Sequence, residues 1–154
     1  MKALALEAEG ISHRYGGLTA LQDIAFSLPA GTRCGLIGPD GAGKSSLLGL
    51  IAGVKKLQSG ELQVLGGSIR QRRHRNSLYP RIAFMPQGLG NNLYPELSIS
   101  ENIRFFATLF GLGSDECEQR MHNLLLATDL ARFAERPAGK LSGGMKQKLG
   151  LCCA

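Results

Sequence analysis

An α/β fold is predicted by three features of the chain. Apolar residues alternate with less apolar ones near the start. A short apolar run then leads straight into glycine-rich sequence and a helical pattern. Past residue 88 the composition turns helical and carries a capping signal. The expected division is a β-rich core with its glycine loop over 1–88 and a helical region over 89–154.

Each element has its own signal. Leu4, Leu6 and Ala8 alternate with less apolar neighbours, and after the Gly16-Gly17 turn so do Ile24, Phe26 and Leu28, the period-two mark of half-buried strands. Cys34-Gly35-Leu36-Ile37 is read as a short strand buried on both faces, with Cys34 a small buried apolar residue. A helix should run from Lys44 to about Ala52 and end at Gly53. Glu61–Leu65 and Ile82–Met85 are further strand candidates, the second stopped by Pro86. Ser98-Ile-Ser-Glu101 has the capping-box form, and Ile99, Ile103, Phe106 and Phe110 recur at three- and four-residue spacing, as on the apolar face of a helix. Asp115–Asp129 reads as a second helix with Met121, Leu124 and Leu125 inward. No internal repeat or low-complexity segment is found.

Composition narrows the class. Among 154 residues 44% are apolar and 19% charged, as in ordinary globular domains, but 21 glycines is about twice the usual share of roughly 7%. No apolar run reaches the length of about 18 residues needed for a membrane span, and Met1–Gly10 lacks a signal-peptide layout, so a cytoplasmic location is expected. Cys34, Cys117, Cys152 and Cys153 have no C-x-x-C spacing and are read as reduced thiols. The net charge of +6 suits nucleic acid, an anionic membrane surface or a polyphosphate ligand and does not choose among them. Part of it is local, in Arg70, Arg72, Arg73 and Arg75, where a solvated loop or edge strand is the plain reading and an RNA or phospholipid contact the alternative.

The segment Gly38-Pro39-Asp40-Gly41-Ala42-Gly43-Lys44-Ser45 fits G-x-x-x-x-G-K-[ST], placed between a predicted strand and a predicted helix as that phosphate-binding loop requires. Its glycines permit backbone angles closed to other residues, so that successive amides face one concavity, and the following helix N-terminus adds partial positive charge. Lys44 is placed to reach the β and γ phosphates and Ser45 to ligate Mg²⁺; Ser46 completes the expected nucleotide contacts. A second glycine pair follows Leu141-Ser142 as Gly143-Gly144-Met145, ahead of a predicted helix. Ser142 there is either a simple helix cap or a second phosphate contact.

Together these motifs resemble the ABC transporter ATP-binding cassette, over nearly all of the chain. In that family Gly38–Ser45 corresponds to the P-loop (Walker A) and Leu141–Met145 to the LSGGQ-type signature, which implicates Ser142, Gly143 and Gly144 in nucleotide contact. The resemblance implies that Tyr15 stacks on adenine and that Gln87, after Met85-Pro86, is the Q-loop glutamine that contacts Mg²⁺ and the attacking water. It implies a P-loop NTPase core with an N-terminal antiparallel β subdomain and a helical signature subdomain, with ATP and Mg²⁺ as ligands. The implied partners are a transmembrane permease and a second cassette bound head to tail, at the inner face of the membrane. The run Tyr94-Pro95-Glu96-Leu97 through Phe105-Phe106, and Met145 in place of glutamine, look like cassettes of drug and polysaccharide exporters. The chain is also similar to ribosome-associated cassettes, for which Arg70, Arg72, Arg73 and Arg75 would contact RNA.

Family cassettes continue beyond the signature helix into the Walker B strand, ending Asp-Glu, and then a switch histidine. The sequence stops at Ala154, ahead of that point, and none of its 12 acidic residues stands in for the pair: Asp115-Glu116 follows a glycine-rich turn and Asp129 lies in a helical pattern. His13, His74 and His122 all precede the signature. The 154 residues alone are therefore expected to bind ATP but not to hydrolyse it at a useful rate, and to expose apolar surface beside the P-loop strand.

Overall fold

The computed structural model describes residues 3–88 and 92–154 of the chain, so the expected boundary at 88/89 borders on positions outside the described residues. The chain divides into two compact units, Met1–Ile82 and Ala83–Ala154.

The first unit is built on a long hairpin, β1 (Leu4–Tyr15) and β2 (Leu18–Pro29), joined at Gly16-Gly17. With β3 (Ser59–Val64) and β4 (Gly67–Ser68) it forms an antiparallel sheet in the order β2-β1-β3-β4. β1 pairs with β2 with Ala8 opposite Phe26 and Ile11 opposite Ile24, and a register shift between these pairs interrupts the alternation that begins at Leu6 and Ala8. Past that shift Ile11 and His13 turn inward, so β1 extends further than its sequence alternation suggests. The helix α1 (Lys44–Ile51) lies on this sheet, and Leu47 and Leu50 join Ile11, Leu21, Leu62 and Val64 in one core. Leu50 is wholly buried, a contribution of about 1.5–3 kcal/mol relative to an exposed side chain.

Two expected strands do not form. Residues 32–39 and 82–86 have no strand pairing among the described residues, and the apolar side chains meant for a sheet interior are exposed: Ile37 is 95% accessible, and Leu36, Phe84 and Met85 are also exposed. A strand buried on both faces needs hydrogen-bonded neighbours, and neither segment has one here. Cys34, expected to be buried, is exposed for the same reason. An apolar groove of about 580 Å³ results within this unit, lined by Leu21, Ile24, Phe26, Leu36, Ile37 and Leu48 among others.

The arginine-rich stretch is also not a loop or edge strand. It forms a short helix, α2 (Arg72–Leu78), held down by the buried Leu78. Arg70 donates to the Gly60 carbonyl at 2.8 Å and pairs with Glu61, Arg75 donates to the Ile69 carbonyl at 3.0 Å, and His74 Nε2 meets the Val64 carbonyl at 2.8 Å. Arg70 and His74 thus fasten the stretch to β3 and Arg75 ties it to the turn after β4, while Arg72 and Arg73 face solvent.

The second unit is helical: α3 (Ile99–Leu109), α4 (Ser114–Ala127) and α5 (Gly143–Cys152) enclose a core of Ile99, Ile103, Met121, Leu125, Leu141 and Leu149. Leu124, expected to face inward on α4, is instead exposed, and Cys117 takes an inward position there. Cys152 and Cys153 are free and buried, and burial pushes both thiols up, that of Cys153 to about 12, so neither is an available thiolate. The buried Asn102 carboxamide ties down the preceding turn, accepting from Tyr94 N at 2.9 Å and donating to the carbonyls of Tyr94, Leu97 and Ser98. Tyr94, Phe105 and Phe106 pack edge to face beside it.

The capping box at the start of α3 is complete. Ser98 Oγ accepts from Glu101 N at 3.2 Å, and the Glu101 carboxylate accepts from Ser98 N at 2.7 Å. These bonds from Ser98 hold the Glu101 carboxyl below the usual range. A depressed folded-state value means the contribution is present above the ordinary glutamate range and is lost as pH falls through the lowered value. Acid titration should therefore fray the start of α3 before the rest of the helical unit, and Glu101→Gln, which keeps an acceptor without the charge, should remove that pH dependence. Hydrogen exchange at Asn102 and Ile103 between pH 6 and 3 checks this.

Candidate nucleotide-binding site

The G-x-x-x-x-G-K-S segment, Gly38–Ser45, lies in the first unit and runs from the end of residues 32–39 into the first turn of α1. Gly41 and Gly43 adopt the left-handed conformation with φ of 80° and 86°, as the loop reading requires; Gly38 does not. At Gly43 the need for glycine is double. A Cβ there would stand 2.2 Å from the Ala20 carbonyl oxygen and 2.8 Å from Leu21, so the turn can lie against β2 only without a side chain. Gly41 faces open space, and only its backbone angle asks for glycine.

Gly43 is the N-cap of α1 and supplies no side chain to cap it, so the first-turn amides point out of the helix without an intrahelical partner. Lys44 Nζ donates to the carbonyls of Gly38 at 2.7 Å and Pro39 at 2.6 Å, folding the lysine back along the loop with its ammonium at the concavity. Ser45 is exposed. This arrangement fits a bound polyphosphate: free amides, a helix N-terminus, one lysine and a hydroxyl oxygen suited to a hard divalent ion. No group of three or more His, Cys, Asp or Glu side chains among the described residues would hold a metal by itself. A single serine oxygen beside nucleotide phosphates is the donor set expected of Mg²⁺.

Tyr15 ends β1 and is 43% exposed. Its hydroxyl lies 3.0 Å from Ser46 Oγ, on the first turn of α1, which brings the ring beside the loop across 31 residues of sequence. Lys55 Nζ stands 5.0 Å from the ring centroid and His13 packs against the ring at 4.7 Å. The Lys55 ammonium, and after it the Ser46 hydroxyl, hold the Tyr15 phenol below the usual tyrosine range. His13 is itself buried, and its Nδ1 has no hydrogen-bond partner among the described residues. The tie from Tyr15 to Ser46 and the role of Lys55 leave no local pattern in the sequence; the one available signal was the coincidence of a hairpin-end aromatic with a P-loop.

The remaining expected residues lie in the second unit. Gln87 is exposed and stands outside any helix or strand. Ser142 is the N-cap of α5, its Oγ accepting from Met145 N at 3.4 Å, which is the plain helix-cap reading of that serine. Gly143 and Gly144 open the helix, and Gly144 borders open space, so its backbone is approachable. The cap bond is long, and it leaves the hydroxyl proton of Ser142 free to donate.

The family model for the ABC transporter matches residues 21–154. The chain is 37% identical over 155 aligned residues to the probable multidrug ABC transporter ATP-binding protein YbhF of Escherichia coli K12, an alignment spanning 99% of the chain but 26% of that protein. It is 37% identical to the Nod factor export ATP-binding protein I of Ralstonia nicotianae, over 94% of the chain and 44% of the relative. It is 39% identical to the O-antigen export system ATP-binding protein RfbB of Klebsiella pneumoniae, over 85% and 47%. Among solved structures, the ATP-binding subunit of an ABC transporter superposes with a TM-score of 0.85 at 31% identity, covering 97% of the chain and 61% of that subunit. The chain thus spans less than half the length of these curated relatives. Loop, helix N-terminus, sheet order and these matches lead to one conclusion: the chain belongs to the ABC transporter family, as part of its ATP-binding domain, with that family's α/β P-loop fold.

Proposed function

We propose that the protein containing this chain is the ATP-binding component of an ABC exporter, in which Mg-ATP held by Gly38–Ser46 drives movement of membrane-embedded partners. The observation that carries this is the loop itself: two left-handed glycines, an uncapped helix and Lys44 turned into the concavity. Relatives named for export match at 37–39% identity, against 30% for one named for Fe(3+) import, and this favours export over import. Tyr15 would take the adenine base, Lys44 the β and γ phosphates, and Ser45 with Gln87 the Mg²⁺. Ser142, Gly143 and Gly144 would close over the nucleotide of a second cassette. Mg²⁺, when bound, supplies charge neutralisation between the phosphates.

Hydrolysis by the whole protein needs an acidic water-positioning group and a switch histidine; Asp115, Glu116 and Asp129 do not follow a strand, and His13, His74 and His122 all precede the signature. A peripheral position at the inner membrane face follows from the permease partner; no helix among the described residues is long and apolar enough to cross a membrane.

The test is purification of the full-length protein from membranes. A detergent-stable complex with a multi-span membrane protein, with an ATPase activity that falls by about 10- to 100-fold in Gln87→Ala while ATP affinity stays within about twofold, is expected. A protein that leaves the membrane fraction entirely, and hydrolyses ATP with Gln87 dispensable, contradicts the proposal. A ribosome-bound ATPase is the other reading. It rests on Arg72 and Arg73 alone, because Arg70 and Arg75 are engaged within the fold, and it requires salt-sensitive cosedimentation with ribosomes that Arg72→Ala and Arg73→Ala abolish.

A further inference from the structure

The ring at the end of β1 is held at three points, and this goes beyond the stacking role proposed for it. Tyr15 is followed by Gly16-Gly17, a turn with no side chains to restrain it, and Gly16 is in the left-handed region. A tyrosine in that position would ordinarily sample several rotamers. Here its hydroxyl is tied to Ser46 Oγ at 3.0 Å, Lys55 Nζ stands over the ring at 5.0 Å, and the buried His13 borders it. Lys55 is itself placed by the fold. Its amide donates to the Gly49 carbonyl at 3.0 Å, and its methylenes cross α1 at Gly49, where a Cβ would meet Lys55 Cδ at 3.0 Å. Gly49 is thus the groove through which the lysine reaches the tyrosine.

We propose that Lys55 is a positioning residue for base recognition, acting with the Tyr15–Ser46 bond to fix the Tyr15 ring beside the P-loop before nucleotide arrives. The proposal rests on the reading of Tyr15 as the base platform. A ring already fixed in one rotamer loses little freedom when a purine stacks on it, so the tether should appear as tighter binding of ligands that carry a base. It should leave a ligand that lacks one unaffected. An ammonium over an aromatic face is attractive in its own right and keeps that face occupied, which orients the ring as well as restraining it.

The experiment compares Mg-ATP with inorganic tripolyphosphate, by calorimetry on the full-length protein, for Lys55→Met, Lys55→Arg, Tyr15→Phe and Tyr15→Ala. Met keeps the chain that crosses Gly49 and removes the charge; Arg retains a cation able to lie over the ring. Phe keeps the ring and removes the tie to Ser46, avoiding a change at Ser46 itself, which sits among the phosphate contacts. Lys55→Met and Tyr15→Phe are expected to weaken ATP by about three- to tenfold with tripolyphosphate unchanged, and Lys55→Arg to restore ATP binding. Equal loss of both ligands in Lys55→Met would mean that the lysine acts on the phosphates by charge, and no loss of either would mean it has no part; each result overturns the proposal. Failure of the underlying reading looks different: Tyr15→Ala would then leave ATP affinity intact. Thermal melts of the same variants, expected to stay within about 3 °C of the parent, separate positioning from general destabilisation.

Discussion

Lys44→Ala in the full-length protein is expected to weaken Mg-ATP by about 10- to 100-fold, since an ammonium bonded to phosphate oxygen is worth about 1.5–3 kcal/mol. The lysine has a second role visible without nucleotide, because its ammonium bridges the carbonyls of Gly38 and Pro39 at 2.7 and 2.6 Å. Removing it leaves those carbonyls without the donor that draws the loop together. Lys44→Arg should recover little, as a planar guanidinium cannot occupy the point between two carbonyls that a compact ammonium does. Equilibrium dialysis with labelled ATP checks both variants, and the loss should extend to tripolyphosphate, in contrast to the changes at Lys55.

Gly43→Ala should be worse for the fold than for any single ligand contact. The added Cβ meets the Ala20 carbonyl oxygen at 2.2 Å, a backbone atom in β2 that cannot swing aside, and φ of 86° is closed to alanine at small cost. Left-handed strain of about 1–2 kcal/mol and overpacking of about 1–3 kcal/mol together predict a loss of roughly 2–5 kcal/mol, against a typical domain stability of about 5–15 kcal/mol. The loop would have to lift from β2 to relieve the clash, carrying the N-terminus of α1 with it. ATP affinity and thermal midpoint should therefore fall together. Gly41→Ala is the control: its Cβ meets nothing within 4 Å, so only the strain at φ of 80° remains and a smaller loss of stability is expected. Differential scanning fluorimetry with and without Mg-ATP distinguishes the two.

What the sequence could reveal follows from how local the causes are. The start and end of α1, the capping box at Ser98 and Glu101, and the helix after Ser142 are each written in a few adjacent residues, and each forms where it was expected. The left-handed glycines of the loop were legible for the same reason. Cys34–Ile37 and Ile82–Met85 show the limit of that reasoning. Their apolar character signals a strand, but strand pairing depends on neighbours that no local window of sequence specifies. The arginine stretch carries no helical signal because its helix, only Arg72–Leu78, is too short to show an apolar period, and Leu78 is the one buried residue in it. The Tyr15–Ser46 tie depends on α1 packing against the β1–β2 hairpin, a tertiary fact that no window of sequence contains.

The central claim is that main-chain amides at the start of α1 grip a triphosphate. Nitrogen-15 labelling of glycine, lysine and serine in the full-length protein would report those amides individually. On saturation with Mg-ATP, large downfield shifts are predicted for Gly41, Gly43, Lys44 and Ser45, reproduced in kind by tripolyphosphate. Saturable ATP binding that leaves these four resonances in place would contradict the account.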